Sequence, residues 1–403
     1  MLLESWNFFD RFVGGAPSPC IFCNFWLSGG KRDEKLILPI NSSLSATLDQ
    51  DQLCAKTTIA TCSKFEKDRM WLNGVEQPVN TPRLQNVLKE IRRRARKRRS
   101  SDTNEQNELL NWSVHICSEN NFPTAAGLAS SAAGLACLVF TLAKLYGVEG
   151  DISEIARQGS GSACRSVYGG FVAWEKGKEE DGSDSLAVQV APETFWPEMR
   201  VLILVVSAKK KHVGSTDGMQ TSVKTSKLLK HRAEQLVPDM MDQMTTAVKN
   251  KDFQAFADVT MKDSNQMHAT CLDTFPPISY MTDTSRDIQR LVHAINKYYS
   301  ENKVAYTYDA GPNACLYLLE DNVPLVFNLV KKFFPSASGS EEFVRGPHIE
   351  EISIPKDLVD SVPLSPSPDS VQYVIHTKVG PGPQVLADSD SLINKDGLPK
   401  NMK

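Results

Sequence analysis

Several features that would assign this chain to a familiar class are missing from its sequence. No run of apolar residues reaches the roughly 18 that a membrane-spanning helix needs. The first residues include Glu4 and Asp10 and no basic cluster, which is a poor match to a secretory signal. Basic and acidic residues nearly cancel, at 45 Lys plus Arg against 48 Asp plus Glu. The whole molecule therefore has no field that attracts nucleic acid or an anionic membrane, and any anion site has to be built locally.

A disulfide framework is missing as well. Nine cysteines are scattered among apolar positions such as Cys137 and Cys315, which is typical of reduced thiols in the cytosol. Cys20 and Cys23 form a Cys-x-x-Cys pair, but no second pair supplies the four ligands that a structural zinc prefers. We therefore expect a soluble cytoplasmic protein, and a zinc site at this pair is disfavoured.

What the sequence does contain is enough material for a large core. Its 403 residues are 41% hydrophobic, and this length suggests two domains. Strand-like and helix-like segments alternate without internal repeats, which predicts an α+β fold. The segment APETFWP at 191–197 interrupts the alternation with two prolines and an aromatic anchor. We expect the domains to cover residues 1–195 and 196–403.

Apolar periodicity gives a coarse map of the elements. It predicts strands at 112–117, 199–207, 304–308 and 314–319, a helix that begins at 82, and helices at 231–250 and 253–268. The first helix runs into the basic stretch Arg92–Arg99, which indicates either a nucleic-acid patch or a solvated helix end. The second interpretation is favoured because no aromatic or glycine residues are interleaved. A polar loop is expected at 100–108, and a surface tail at 336–368.

The first motif with chemical content is PTAAGLASSAAG, from Pro123 to Gly134, which is followed at once by a helical stretch. A triphosphate needs close approach by backbone N–H groups, which small side chains permit, and a helix N-terminus adds a favourable dipole. Ser130 and Ser131 supply hydroxyls for phosphate or Mg²⁺. The alternative is a tightly packed Ala and Gly helix contact.

A second segment, GSGSACRSVYGG at 159–170, also suits an anion. Ser160, Gly161 and Ser162 can form a small concave set of backbone and hydroxyl donors. Arg165 can hold a carboxylate or phosphate through two parallel hydrogen bonds. The alternative is a helix start with Arg165 on the surface. Two such segments together indicate a ligand with several negative charges.

The third motif is YDAGPN, Tyr308–Asn313, in which Asp309 leaves a strand and Gly311-Pro312 turns the chain. An aspartate before Gly-Pro is often only a turn residue. A carboxylate beside two anion sites, however, is suited to act as a general base toward a hydroxyl.

Taken together, the motifs resemble one family closely. They are GKRDE (30–34), LPINSSLS (38–45), NNFPTAAGLASSAAG (120–134), SGSACRS (160–166), MKDSNQMHATCLDTFPPISY (261–280) and YDAGPN (308–313). From Gly30 onward the chain resembles the mevalonate diphosphate decarboxylases of the GHMP kinase superfamily. The resemblance implies an N-terminal domain of the ribosomal-protein-S5 type, a C-terminal ferredoxin-like domain, and a cytosolic homodimer in the isoprenoid and sterol pathway. It also implies the conversion of mevalonate 5-diphosphate to isopentenyl diphosphate, CO₂, ADP and phosphate, with ATP as co-substrate and Mg²⁺.

The same resemblance implies roles for individual residues. Asp309 would be the base or orienting group for the 3-hydroxyl, and Arg165 would hold the substrate carboxylate. The expected substrate-binding residues are Gly30, Lys31, Arg83, Ser160, Gly161, Ser162, Ala163, Cys164, Arg165 and Thr216. The expected ATP-binding residues are Ala126, Gly127, Leu128, Ala129, Ser130 and Ser131, with Mg²⁺ carried by ATP and Ser130 as a candidate ligand.

The chain departs from the family pattern over residues 1–29. Family members usually have Lys-Tyr-Trp-Gly-Lys before Arg-Asp, whereas this sequence has Leu27, Ser28 and Gly29 in place of the first three residues. An active-site lysine is thus replaced by Leu27, although 21–27 is apolar enough to replace the missing first strand. Three functions follow as hypotheses: an active decarboxylase, which is favoured; a weakened isoform that acts as a dimerising binding partner; and a different GHMP small-molecule kinase, which the YDAGPN segment disfavours.

Overall fold

The computed structural model describes residues 11–18, 23–24, 30–98, 108–122, 130–207, 213–336 and 343–402. The strands are β1 (Arg11–Ser18), β2 (Cys23–Asn24), β3 (Lys31–Asp33), β4 (Leu38–Pro39), β5 (Ser43–Ala46), β6 (Ala55–Thr61), β7 (Arg69–Leu72), β8 (Val75–Gln77), β9 (Val114–Asn120), β10 (Phe171–Trp174), β11 (Ala187–Ala191), β12 (Met199–Val205), β13 (Val304–Tyr308), β14 (Ala314–Leu319), β15 (Val344–Arg345) and β16 (Tyr373–Lys378). The α-helices are α1 (Pro82–Arg98), α2 (Ser130–Tyr146), α3 (Ser153–Gly159), α4 (Ser215–Thr225), α5 (Lys227–His231), α6 (Val237–Asn250), α7 (Phe253–Asp273), α8 (Asp283–Tyr299), α9 (Val323–Phe333) and α10 (Lys356–Ser361).

Two sheets form the first half of the chain. One has the strand order β1-β6-β9-β7-β8, and the other has the order β11-β10-β5-β2. Helix α2 packs against β1 and β6. Its small residues Ala132, Ala133 and Ala136 are completely buried, so part of the Ala and Gly pattern serves helix packing, as the alternative interpretation of that segment held.

Helix α1 shows why the basic stretch at its end does not form a free cationic surface. The apolar positions that recur at helical spacing, including Leu84, Val87 and Ile91, are buried against the core. On the opposite face, Arg93 pairs with Glu90 at 2.6 Å, and Arg94 pairs with Glu154. Arg93 and Arg94 are therefore neutralised by neighbouring carboxylates, which agrees with a solvated helix end.

The second half is built on one sheet with the order β13-β14-β12-β16-β15. β12 pairs antiparallel with both β14 and β16, and its residues are buried except for Arg200, as expected for a strand covered on both faces. Helices α7 and α8 pack on β13. Helix α7 is also attached to the preceding segment, because its Asp263 forms a buried ion pair with Arg232 of the π-helical turn Arg232–Leu236.

After β16 the chain returns to the first half. Gly380 N donates to Thr47 O over 2.8 Å, and Leu392 N donates to the Thr58 hydroxyl over 3.0 Å. Leu392 and Ile393 complete a small apolar cluster on the β6 and β9 side. The last part of the chain therefore contacts the first half, while the boundary between residues 195 and 196 stays a prediction.

Most predicted elements are confirmed, and several bounds are corrected. The strands expected at 304–308 and 314–319 are observed with those bounds, whereas the strand expected at 112–117 begins two residues later, at Val114. The helix expected at 253–268 continues to Asp273. The prediction of a surface tail at 336–368 is wrong in part, since α10 lies within it and its Leu358 is fully buried. Residues 337–342 and most of the predicted loop at 100–108 lie outside the described residues.

The beginning of the chain also differs from expectation. The edge strand of the first sheet is β1, which pairs antiparallel with β6. It comes before the segment 21–27, which we expected to supply the first strand. Within that segment, β2 pairs with β5, and the other residues, Leu27 included, lie outside the described part. In the described part of the chain, no helix is both long and apolar enough to cross a membrane.

The cysteines whose side chains are described form no disulfide. Six of them are buried, among them Cys137, Cys164 and Cys315, while Cys54 is half-buried. Burial raises the pKa of Cys117 and of Cys164 to about 12. These thiols are therefore protonated and unreactive at neutral pH.

Candidate active site

The two halves of the chain meet at helix α4, and the predicted substrate residues Lys31 and Thr216 meet there. Lys31 and Glu34, from the region of β3, line one cavity together with Thr216, Gln220 and Lys224 of α4. Gly30 allows this approach, because its φ of +150° favours glycine and a Cβ at this position would overlap the Val223 side chain. The local sequence Gly30-Lys31 thus brings a cation from the first half onto a helix of the second.

The charges around Lys31 show that this cavity is electropositive. Burial lowers the pKa of Lys31, the nearby positive charge of Arg83 lowers it further, and Glu34 acts in the opposite direction. Arg83 is the second residue of α1 and is exposed. The fold therefore holds the cations Lys31 and Arg83 near each other. Their mutual repulsion would be reduced by a bound anion.

Arg165 is not on the surface, so the surface interpretation of this residue is wrong. It lies in the 3₁₀ helix Gly161–Val167, and only 1% of the residue is exposed. Its Nε donates to the Ser45 hydroxyl over 2.8 Å, another guanidinium nitrogen donates to the Ser43 hydroxyl, and the Trp174 ring centroid is 5.8 Å away. These partners fix the plane of the guanidinium, which is what a two-point contact with a carboxylate requires.

The segment before Arg165 divides into an accessible and a buried part. Ser160, Gly161 and Ser162 are half-buried, and a Cβ on Gly161 would lie 2.6 Å from the Trp174 ring. Ala163 and Cys164 are fully buried, and the Ala163 N–H donates to Ser160 O over 2.9 Å. The side chains of Ala163 and Cys164 are therefore part of the core, and their predicted place in the substrate site stays a prediction.

Asp309 lies in the turn between β13 and β14. Its Oδ1 accepts from the Ala310 N–H over 2.6 Å. At the other end of the turn, the Asn313 amide oxygen accepts from Val206 N over 2.9 Å and from Ser207 N over 3.0 Å. The YDAGPN segment is thus attached to the sheet at Tyr308, which pairs with Ala314, and at Asn313. The half-buried carboxylate of Asp309 follows directly after β13.

Tyr280 connects Asp309 with the first turn of α4. Burial raises the pKa of Tyr280, and the negative charges of Asp309 and Asp217 raise it further. A Cβ on Gly218 would overlap the Tyr280 hydroxyl. Tyr280 therefore lies within electrostatic range of Asp309 and packs on the first turn of α4, which carries Thr216.

The predicted nucleotide loop lies largely outside the described residues. This applies to Ala126, Gly127, Leu128 and Ala129, whereas Ser130 and Ser131 begin α2, with only their backbone described. Helix α2 is 17 residues long, so its N-terminus supplies the partial positive charge on which the prediction of a phosphate site depends. No group of three or more His, Cys, Asp or Glu residues within the described ranges could hold a metal ion.

Several residues that organise the site were not predicted from the sequence. Ser43 and Ser45 were noted only as part of a family motif, yet they orient Arg165. Their signal was available, because two hydroxyls at spacing two on the buried strand β5 share one face. Tyr280 was likewise noted only within a family motif, and Asp217 gave no comparable signal, since its proximity to Tyr280 depends on tertiary contacts.

The fold defines an enzyme class: two α+β halves of the GHMP kinase type, with a cavity lined by residues of both halves. A family model described as the diphosphomevalonate decarboxylase-like N-terminal domain matches residues 22–187, and one described as the mevalonate 5-diphosphate decarboxylase C-terminal domain matches residues 201–386. The chain belongs to the mevalonate 5-diphosphate decarboxylase family.

Individual relatives of the same family align with nearly the whole chain. A diphosphomevalonate decarboxylase from Rattus norvegicus is 58% identical, with 96% of each chain covered. A crystal structure of mevalonate 5-diphosphate decarboxylase is 44% identical, with a TM-score of 0.81, and the match covers 95% of this chain and 99% of the other. A second structure, described as MDDEF in complex with MVAPP, AMPPCP and magnesium, is 28% identical, with a TM-score of 0.71; the match covers 93% of this chain and 99% of the other.

Proposed function

We propose that this chain catalyses the ATP-dependent decarboxylation of mevalonate 5-diphosphate, giving isopentenyl diphosphate, CO₂, ADP and phosphate. The observation that carries the proposal is the cavity at α4, where Lys31 of the first half and Thr216 of the second line one surface. Its position between the halves and the cations Lys31 and Lys224 in its lining support an anionic group of the substrate at this junction. Membership of the family supports the reaction type.

The chemistry gives each residue type a task. A tertiary hydroxyl is a poor leaving group, so the γ-phosphoryl group of ATP is first transferred to it, with loss of its proton to a base. Phosphate then leaves with the C–O bonding electrons. The C–C bond to the carboxylate breaks, its electrons form the new double bond, and CO₂ departs. The protein must therefore hold a carboxylate, a diphosphate and a base in one geometry.

Asp309 is the base or orienting group for the 3-hydroxyl in this proposal. Its half-buried carboxylate at the end of β13 and its proximity to Tyr280 support this role. Arg165 holds the substrate carboxylate, which its burial and its fixed guanidinium plane support. Their hydrogen bonds hold both groups in place before binding, which reduces the cost of orienting them toward the substrate.

The substrate and its diphosphate are assigned to the predicted binding residues, of which Gly30, Lys31 and Thr216 lie at α4. The others are Arg83, Ser160, Gly161, Ser162, Ala163 and Cys164. The like charges of Lys31 and Arg83 support the assignment, because an anion would relieve their mutual repulsion.

ATP is assigned to the segment 126–131 and to the N-terminus of α2. The neighbour in complex with MVAPP, AMPPCP and magnesium supports ATP and Mg²⁺ as the co-substrate and the ion. Since the described residues contain no carboxylate cluster for a metal, Mg²⁺ would arrive with the phosphates, as this ion commonly does, with the Ser130 hydroxyl as a further ligand. The ion would neutralise charge on the phosphates, and the protein residues would position the two substrates.

The finer context of the protein is also a proposal. We assign the chain to the isoprenoid and sterol pathway, to the cytoplasm and to a homodimer, on the basis of family resemblance. The weakened-isoform hypothesis has no supporting observation among the described residues or the relatives.

One experiment tests the proposed function directly. Purified protein is incubated with ATP, Mg²⁺ and mevalonate 5-diphosphate, and ADP and CO₂ are measured together. The proposal predicts both products in equal amounts. ADP without CO₂ would indicate a kinase, and neither product would indicate a binding partner without catalytic activity.

A further inference from the structure

The segment that carries Asp309 is attached to helix α8 through one residue, Ser285. The hydroxyl of Tyr308, directly before Asp309, donates to the Ser285 carbonyl over 2.7 Å. The Ser285 hydroxyl donates to the Pro312 carbonyl over 2.9 Å. Ser285 therefore contacts the turn on both sides of Asp309, once through its backbone and once through its side chain.

Ser285 is itself fixed by the start of its helix. It is the N3 residue of α8 and forms a reciprocal capping box with Thr282, in which each side chain accepts a hydrogen bond from the other residue's backbone N–H. No part of Ser285 is exposed, and Tyr308 is only 2% exposed. The two hydrogen bonds lie in a dry environment, where loss of a partner is costly.

A third hydrogen bond attaches Tyr308 to helix α7. The Ser264 hydroxyl accepts from Tyr308 N over 3.1 Å. Ser264 follows Asp263, whose buried ion pair with Arg232 anchors that part of the helix. The backbone and the side chain of Tyr308 are thus attached to two different helices.

We propose that Tyr308 and Ser285 are positioning residues for the reaction, which set the place of the Asp309 carboxylate relative to the substrate hydroxyl. The inference rests on the proposed function of Asp309. Each hydrogen bond contributes modestly to stability, but a displacement of about 1 Å at a reacting group costs about 100-fold in rate. The effect of losing these bonds should therefore appear in turnover more than in folding.

The chain supplies a matched control for Tyr308 in Tyr306. Both tyrosines lie on the same face of β13, and both are nearly fully buried. The Tyr306 hydroxyl donates to Asn265 Oδ1 over 3.1 Å and lies 3.1 Å from His293 Nε2, away from the Asp309 turn. Replacing either tyrosine by phenylalanine removes one buried hydroxyl and keeps the ring.

The test compares Tyr308→Phe with Tyr306→Phe in the whole chain. We expect Tyr308→Phe to lower kcat about tenfold or more, with the KM for mevalonate diphosphate changed less than about threefold. Tyr306→Phe should keep kcat within about twofold at a similar loss of thermal stability. In a second pair, Ser285→Ala should lower kcat, whereas Thr282→Ala, which removes the cap but keeps the Pro312 contact, should not.

Hydrogen exchange provides a readout that does not depend on activity. The amides of Ala310 and Gly311 should exchange faster in Tyr308→Phe than in Tyr306→Phe. Equal kcat values or equal exchange in the two variants would overturn the inference. A wild-type chain that produces no CO₂ would overturn the proposed function, and the exchange comparison would still decide whether these bonds fix the turn.

Discussion

Arg165 Nε donates to the Ser45 hydroxyl over 2.8 Å, and this bond joins the segment after α3 to a buried strand of the neighbouring sheet. A second donation to Ser43 on the same strand, together with the Trp174 ring, prevents the guanidinium from rotating. In the proposed function, this oriented guanidinium holds the substrate carboxylate.

Arg165→Lys should lower kcat/KM for mevalonate diphosphate about 100-fold, because an ammonium cannot reproduce a planar two-point contact. Steady-state kinetics on purified protein measures this change.

The control is Arg157→Lys. Arg157 is equally buried, but it donates to the backbone carbonyls of Leu36 and Gly182, at 2.6 and 3.0 Å. Its replacement should reduce thermal stability without a comparable loss of kcat/KM. If the two variants have the same kinetics, the assignment of Arg165 to the substrate carboxylate is wrong.

The pKa of Lys31 predicts a pH dependence of substrate binding. The charged ammonium attracts the diphosphate, and burial and Arg83 lower its pKa, so the charge is lost at a lower pH than in an ordinary lysine. The KM for mevalonate diphosphate should therefore rise toward alkaline pH. Arg83→Gln removes one of the lowering causes, and the rise should then begin at a higher pH.

Lys35→Gln is the matched control for this measurement, since Lys35 is an exposed neighbour of the same segment. It removes one charge and should leave the pH profile of KM unchanged. A profile in Arg83→Gln that coincides with the wild-type profile would contradict the coupling of Arg83 to Lys31.

The lowered pKa of the buried His268 predicts that the protein is less stable in acid. Burial lowers the pKa of the His268 imidazole to about 4, from its ordinary value of 6.5. Between these values the unfolded chain binds a proton that the folded chain excludes, so the free energy of unfolding falls as the pH drops from 6.5 to 4. The His268→Phe variant keeps a ring beside Tyr308. Its free energy of unfolding should therefore fall less in acid than that of the wild type, by on the order of 1 to 3 kcal/mol.

Urea unfolding at pH 7.5 and pH 5 measures the difference. Burial lowers the pKa of His115, His293 and His376 in the same direction, so the variant should show a smaller acid destabilisation rather than none. An equal fall in wild type and variant would show that His268 does not titrate as described.

Leu27→Lys tests the departure from the family pattern. A lysine near a transferring phosphoryl group offsets developing negative charge, and removing one such donor typically costs about 10² to 10³ in rate. We therefore expect Leu27→Lys to raise kcat by a large part of that factor. A chain in which residues 1–29 are replaced by the usual family start serves as the reference. Equal specific activity in the native and the replaced chain would mean that the lysine is dispensable here.

The sequence predicted the elements with strong periodicity and the short motifs better than the contacts between them. The strand 304–308 and the helix from Pro82 follow from local apolar patterns, which tertiary packing did not override. The burial of Arg165 was not predictable in this way, because it depends on Ser43 and Ser45, about 120 residues earlier in the chain. The same is true of Ser285 and Pro312, which are brought together only by the packing of α8 on β13.

The most direct test of the account is the turnover of Asp309→Asn, scored for ADP and CO₂ together in the presence of ATP, Mg²⁺ and mevalonate diphosphate. The substitution removes the base and keeps the size of the side chain, so nucleotide binding should be nearly unchanged. General-base catalysis contributes about 10² to 10⁴ in rate, and the account predicts a loss of at least the lower value for both products. A variant that keeps more than about a tenth of the wild-type rate would contradict the assignment of Asp309 as the base.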